Sequence, residues 1–211
     1  MMAIAETQIK QPAAESKPKL TFEQFLEVCP TDGRYELVDG EIVTVANTRR
    51  HEDIIAFIYK KFDGEIDRLD LSFVVRQNVS IKTTKNNGTL QGRVPDLSVI
   101  DRSVWRSNPS DYSALVEPIQ LAIEVVSSNW EDDYIDKFEE YQNIGITEYW
   151  IVDYLANGSR EFLGNPKVKT VFVNLLDENG KYQTSKFTND EKIISRTFPE
   201  LDLTAAQIWV A

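Results

Sequence analysis

Basic charge, cysteine and long apolar runs are what this 211-residue chain has little of. Its 23 lysines and arginines stand against 34 aspartates and glutamates, a formal net charge of −11. That balance excludes a protein coated in phosphate-binding side chains. It leaves room for a metal site of clustered acids, with nucleic acid met by a local basic patch. The single cysteine, Cys29, excludes an intrachain disulfide and a cysteine-rich metal cluster, and it suits a reducing cytoplasm. No apolar run approaches the roughly 20 residues that a bilayer-crossing helix needs. The stretch from Gln8 to Lys19 is polar, unlike the apolar core of a signal peptide. These absences together predict a cytoplasmic protein with no membrane partner.

What is present reads as one α/β domain. Hydrophobic residues make up 42% and charged residues 27%, and 211 residues can bury a substantial core. Residues 1–19 are rich in Ala, Gln, Lys and Pro without periodicity and predict a disordered tail; the domain is expected over residues 20–211, with no repeat or linker to divide it. Thr21 and Gln24 form a capping box for a short helix that ends before Pro30. Tyr35 to Val38 and Ile42 to Val45 flank Asp39-Gly40, a hairpin-turn dipeptide, and place Glu36 within a strand. A helix from about Thr48 carries Ile55, Ile58, Phe62 and Leu69 on one face, with His51, the only histidine, on that face in the first turn. Phe73 to Lys82 reads as one strand whose apolar face is interrupted by Gln77. Arg93, Arg102 and Arg106 with Trp105 could meet a phosphate backbone or remain as solvated charge. Later strands are expected at Thr147 to Asp153, Lys169 to Leu175 and Tyr182 to Phe187, with a last helix at Ala205 to Trp209.

Two strand-like runs carry the first sign of chemistry. Arg93 to Ile100 contains Asp96 and Ile119 to Val126 contains Glu124, each a lone acid among apolar residues. Side chains alternate along a strand, so Asp96 shares a face with Ser98 and Ile100, and Glu124 with Ala122 and Val126. Neighbouring strands lie about 4.8 Å apart, close enough for the two carboxylates to converge on one cation. Buried carboxylates are costly unless a metal or a donor compensates them.

The helix after Glu124 runs from caps at Ser127, Ser128 or Asn129 to Gly145. Tyr134, Ile135, Phe138, Tyr141 and Ile144 form an apolar arc at 100° per residue, opposite Asp136, Glu139 and Glu140. Lys137 falls inside that arc. Its stem can cover the core edge while the ammonium reaches water, or the ammonium can point at the two carboxylates, where it would orient a water or stabilise charge on a phosphate. The second orientation is the favoured one.

These residues resemble the PD-(D/E)XK nuclease superfamily, and most closely its bacterial Uma-type restriction-endonuclease-like family, formerly a domain of unknown function. The likeness is carried by Tyr35-Glu36-Leu37-Val38-Asp39-Gly40-Glu41, His51, Pro95-Asp96, Glu124-Val125-Val126-Ser127, Lys137 through Tyr141, Gly145 and Glu148 to Asp153. It implies a mixed sheet flanked by helices in a single domain, and acids from neighbouring strands binding Mg²⁺, or Mn²⁺ in its place, for cleavage of DNA phosphodiesters. Asp96 and Glu124 match the metal-binding acids, Glu36 an upstream acid that is a further ligand or an acceptor behind them, and His51 a histidine near the site. The lysine expected two residues after Glu124 is Val126 here. In the Uma-type pattern a lysine from the following helix substitutes, and Lys137 stands there. A homodimer would suit cleavage of both strands.

Three functions remain in play. A Mg²⁺-dependent endodeoxyribonuclease leads. A catalytically inactive nuclease fold serving as a binding or assembly module is favoured by Val126 and by the acidic charge. A glycosidase using the two acids is weakest, because no aromatic sugar-stacking platform accompanies either strand.

Overall fold

A computed structural model describes residues 18–108 and 112–211. The tail expected over residues 1–19 therefore lies almost wholly outside the described residues. Helix α1 (Phe22–Val28) begins at the Thr21–Gln24 capping box, and the hairpin β1 (Tyr35–Val38) and β2 (Glu41–Thr44) turns on Asp39 and Gly40, both at positive φ. Helix α2 (Arg49–Leu69) follows, capped by the Thr48 side chain, which accepts from the His51 backbone N–H.

The next 29 residues of chain form one hairpin bent in the middle, not two straight strands (73–101). Its arms are β3 (Phe73–Arg76) with β4 (Ser80–Thr84), and β5 (Leu90–Arg93) with β6 (Leu97–Asp101). Arg76 pairs with Ser98 and Ile81 with Arg93, so one antiparallel register continues across the bend. Each run expected as a single strand is thus divided between two sheets. One arm breaks at Gln77-Asn78, where Asn78 has φ 57°, and the other at Val94-Pro95-Asp96, where proline has no N–H for a ladder.

Helix α3 (Arg102–Arg106) and the short strand β7 (Ala114–Leu115) lead to β8 (Leu121–Val125). A π-helical turn (Asp132–Asp136) then runs into α4 (Lys137–Ile144), which Gly145 closes at φ 85°. Strand β9 (Glu148–Asp153), helix α5 (Arg160–Leu163), the hairpin β10 (Thr170–Leu176) and β11 (Tyr182–Phe187), and helix α6 (Ala205–Trp209) complete the chain.

Among the described residues there are two mixed sheets and six α-helices. The six-stranded sheet has the order β11-β10-β9-β8-β6-β3, with β8 and β9 parallel; the five-stranded sheet has the order β2-β1-β5-β4-β7, with β4 and β7 parallel. Apolar residues of α2 (Ile54, Ile58 and Phe62) and of α6 (Ile208) cover one face of the six-stranded sheet, against Leu97, Val99, Ile123 and Trp150. Each such side chain, fully buried, contributes roughly 1.5–3 kcal/mol. The opposite face, with Ile100, Ala122 and Val126, meets Tyr134 and Tyr141 of the following helical segment, Val79 at the bend and Ile81 of the smaller sheet. Single-domain α/β architecture stands as expected. No described helix is long and apolar enough to cross a membrane.

Candidate active site

The bend in the hairpin builds the site. β6 and β8 are antiparallel neighbours, with Leu97 opposite Ile123 and Ser98 opposite Ala122; continuing that register by one residue sets Asp96 opposite Glu124. Asp96 lies just beyond the end of β6, where the chain crosses between sheets, and β1 fixes that crossing. Arg34, immediately before β1, donates to the Val94 carbonyl at 2.5 Å, and Glu36 Oε1 accepts from the Val94 N–H at 3.1 Å. Glu36 is therefore buried, not a solvent-facing acid on an edge strand.

Asp96 is fully engaged. Its Oδ1 accepts from Arg34 Nη1 at 2.5 Å, and its Oδ2 from the Val125 N–H at 2.7 Å and from His51 Nε2 at 2.8 Å. Burial alone would push this carboxyl up, but the His51 hydrogen bond and the Arg34 charge hold it well below the usual carboxylate range. An ionised Asp96 accepts only, so His51 carries its proton on Nε2.

Lys137 lies at the middle of a second group. Its Nζ is 3.2 Å from Glu124 Oε2, 3.3 Å from Asp133 Oδ1 and 3.5 Å from Glu36 Oε1. Glu124 Oε1 accepts from the Tyr141 hydroxyl at 2.7 Å. The inward orientation of Lys137 is the observed one. The arc on which it sits differs from the apolar arc read from the sequence: Ile135 is exposed, and Asp133 and Glu140 are buried beside Lys137. Those acids are inside because cations hold them there, which hydropathy does not report. Glu140 takes both Arg93 Nη2 at 2.8 Å and Arg93 Nε at 2.9 Å, with the Thr83 hydroxyl at 2.6 Å, and Arg93 Nη1 reaches Glu36 Oε2 at 3.1 Å.

The arginines near Trp105 form neither a phosphate-facing patch nor, as a set, solvated loop charge. Arg93 is fully buried in that ion pair, Arg102 donates to the Leu71 and Phe73 carbonyls, and the Trp105 ring lies under Arg76. Arg106 is left on the surface. Gln77 is exposed at the bend and lines a polar cavity of about 240 Å³ together with Asn47, Glu52, Asn78, Arg34 and Asp96.

The charges do not balance. By formal count, buried Glu36, Asp96, Glu124, Asp133 and Glu140 outnumber the three permanent cations beside them, Arg34, Arg93 and Lys137, by two. The effect shows in the carboxyls. Burial, opposed by Lys137 but reinforced by Asp96, Asp133 and Glu36, raises Glu124 well above the usual range, and burial with Asp96 and Asp132 raises Asp133 to about 7. Glu36 is held low: Lys137, Arg93 and the Val94 N–H outweigh its burial. Lys137, held by Glu124, Glu36 and Asp133 against its own burial, stays protonated.

Oxygen donors of this kind suit a hard divalent cation. No ready cage is formed: among the described residues, no group of three or more His, Cys, Asp or Glu side chains is placed to hold a metal ion. The Lys137 ammonium fills the space between Glu36, Glu124 and Asp133, and Arg34 covers Asp96 Oδ1. Sequence reasoning brought together Glu36, His51, Asp96, Glu124 and Lys137, and the structure places all five around these two groups. It missed Arg34, Asp133 and Tyr141. Signals existed for two of them: Arg34 has the strand parity of Glu36, and Asp133 precedes Lys137 by four helical positions.

Comparison with known proteins adds the family. The Uma2 model, described as "Putative restriction endonuclease", matches residues 22–206. A similar solved structure is that of "a putative nuclease belonging to DUF820 from Anabaena variabilis ATCC 29413", with TM-score 0.68 and 18% identity over 90% of this chain and 98% of that one. At that identity the likeness speaks for the fold. No curated protein matches the chain.

Proposed function

The chain belongs to the Uma2 family of restriction-endonuclease-like proteins, and from that membership together with the site we propose that it is a divalent-metal-dependent endonuclease that hydrolyses DNA phosphodiester bonds. The observation that carries this reading is the convergence of Asp96, Glu124 and an inward Lys137 ammonium, 3.2 Å from Glu124, on one buried site whose acidic groups outnumber its permanent cations.

Asp96 and Glu124 are the residues that would hold Mg²⁺, or Mn²⁺ in its place. The ion would polarise the phosphoryl oxygen and acidify the attacking water. The remaining roles belong to the chain. His51 and the Val125 N–H fix Asp96 Oδ2, and so set where its other oxygen points. Tyr141 fixes Glu124 Oε1 in the same way. Lys137 sits where its ammonium can orient a water or offset charge growing on the phosphate. Glu36, whose oxygens accept from Arg93 and Val94, serves to hold Lys137 in place and is not itself a ligand. A twofold pair of copies would place two such sites on opposite DNA strands.

Incubation of the protein with supercoiled plasmid and Mg²⁺ or Mn²⁺ tests the proposal. Nicked or linear product is expected, lost in Asp96→Ala and Glu124→Ala and reduced about 10²–10³-fold in Lys137→Met. Cleavage that survives Asp96→Ala or Glu124→Ala contradicts it. The reading of an inactive binding module draws on one observation, that Arg34 and Lys137 already occupy the carboxylates; DNA binding without cleavage under either metal would favour it.

A further inference from the structure

We propose that Arg34 and a divalent cation compete for the same oxygen, Asp96 Oδ1, and that Arg34, once displaced, turns its guanidinium to a phosphate oxygen in the adjoining cavity. The proposal rests on Asp96 being a metal-binding residue.

Four observations lead to it. Oδ2 of Asp96 already accepts from His51 and from the Val125 N–H, both on rigid elements, so Oδ1 is the exchangeable oxygen, and its partner is Arg34 at 2.5 Å. Of the three cations in the site, Arg34 is the least enclosed: its side chain is 14% exposed, against 8% for Lys137 and none for Arg93. Lys137 and Arg93 are each tied to several carboxylates, whereas Arg34 holds one carboxylate and one carbonyl. Finally, Arg34 Nε is buried without a hydrogen-bond partner, although most buried donors are paired. An arginine with an unspent donor has something to gain from a second position.

The cavity offers that position. It holds about 240 Å³ beside Asp96 and is lined by Asn47, Gln77 and Asn78 as well as Arg34, with one further carboxylate, Glu52, at its wall. That is roughly eight times the share of one liquid water, enough for a phosphate group beside the Gln77 and Asn78 amides, while the Asn47 amide donates to Glu52 and offsets part of that acid's charge. A planar guanidinium binds phosphate through two parallel N–H bonds, which would employ Nε. The exchange also keeps the charge in step: a divalent cation replaces one positive charge at Asp96, and the freed positive charge meets the incoming phosphate.

Calorimetric titration with Mn²⁺ tests the competition. Arg34→Gln is expected to bind Mn²⁺ at least about tenfold tighter than wild type, the order set by removing one charge-assisted hydrogen bond. Arg76→Gln removes the same charge from a residue that stacks on Trp105 and does not touch Asp96; its affinity should be unchanged, and an equal gain there overturns the proposal, because net charge alone would explain both. Unchanged or weaker binding in Arg34→Gln also overturns it. Should Arg34→Gln fail to fold, Arg34→Lys keeps the charge but cannot span Asp96 and the Val94 carbonyl together, so an intermediate gain is expected and none is contradictory. With Ca²⁺ as a metal that supports binding without cleavage, Arg34→Gln should lose DNA affinity; retained affinity overturns the phosphate half. Mn²⁺ binding that Asp96→Asn leaves untouched removes the underlying assignment of metal to Asp96. Asp96-dependent binding that Arg34→Gln fails to tighten removes the competition alone.

Discussion

Lys137 keeps a buried ammonium because Glu36, Glu124 and Asp133 surround it within 3.5 Å. Replacing it with methionine takes the shared cation from Glu36, Glu124 and Asp133, and removing one partner of a buried ion pair costs about 3–5 kcal/mol. Urea denaturation of Lys137→Met should show that loss, and a variant as stable as wild type would show that Lys137 does not hold the group together. Asp133 gives the site a pH signature. Its folded-state pKa, raised to about 7 by burial and its acidic neighbours, exceeds its value in the unfolded chain. Between those values the folded state binds the extra proton, so stability falls as pH rises through about 7 and is regained on acidification. Asp96 has the opposite sign: held low, it contributes stability that is lost only when pH falls below the ordinary carboxylate range. Melting temperature should therefore climb as pH drops from 8 to 6, by about 2–4 °C for each kcal/mol regained in a domain of this size. Asp133→Asn should flatten the climb, and equal slopes in the two proteins would contradict this account of Asp133.

The bent hairpin is the element on which the site depends. Its two arms keep a single register while passing from one sheet to the other, and Asp96 stands at that crossing. Pro95 and the Arg34 and Glu36 side chains fix one arm; Asn78 turns the other with φ 57°. Asn78 is exposed, so a substitution there acts on the backbone and not on the core. Asn78→Gly should be nearly neutral, because glycine and asparagine both accept positive φ, whereas Asn78→Val should destabilise by about 1–3 kcal/mol. Urea denaturation separates the two, and a tolerated valine would show that the bend is held elsewhere. The π-helical turn is the other irregular element. It joins Asp133 to the start of α4 with the Lys137 N–H bonded back to the Asp132 carbonyl, and such turns cluster at functional sites.

At the scale of the molecule, much of the site could be read from the chain because its residues break local patterns. Asp96 and Glu124 interrupt apolar strands, and Lys137 interrupts an apolar helical arc; each anomaly marks a buried charge. The sheet division was hidden, since a hairpin of continuous register looks the same whether its halves lie in one sheet or two. Arg93 and Glu140 were hidden for a different reason. Each reads as a surface charge alone, and each is buried because the other, 47 residues away, neutralises it. The apolar arc was misplaced by the same effect, since the buried acids Asp133 and Glu140 count towards the inner face only once their partners are known. In this buried group the acids outnumber the permanent cations by two. A cation binding beside the two raised carboxyls, Glu124 and Asp133, is expected to displace protons from them. Calorimetric titration of Mn²⁺ at pH 7 in buffers of different ionisation enthalpy measures this directly. Binding of the ion with net proton release, abolished in Asp96→Asn and Glu124→Gln, is the predicted result; the absence of binding, or binding that releases no protons and survives Glu124→Gln, would contradict it.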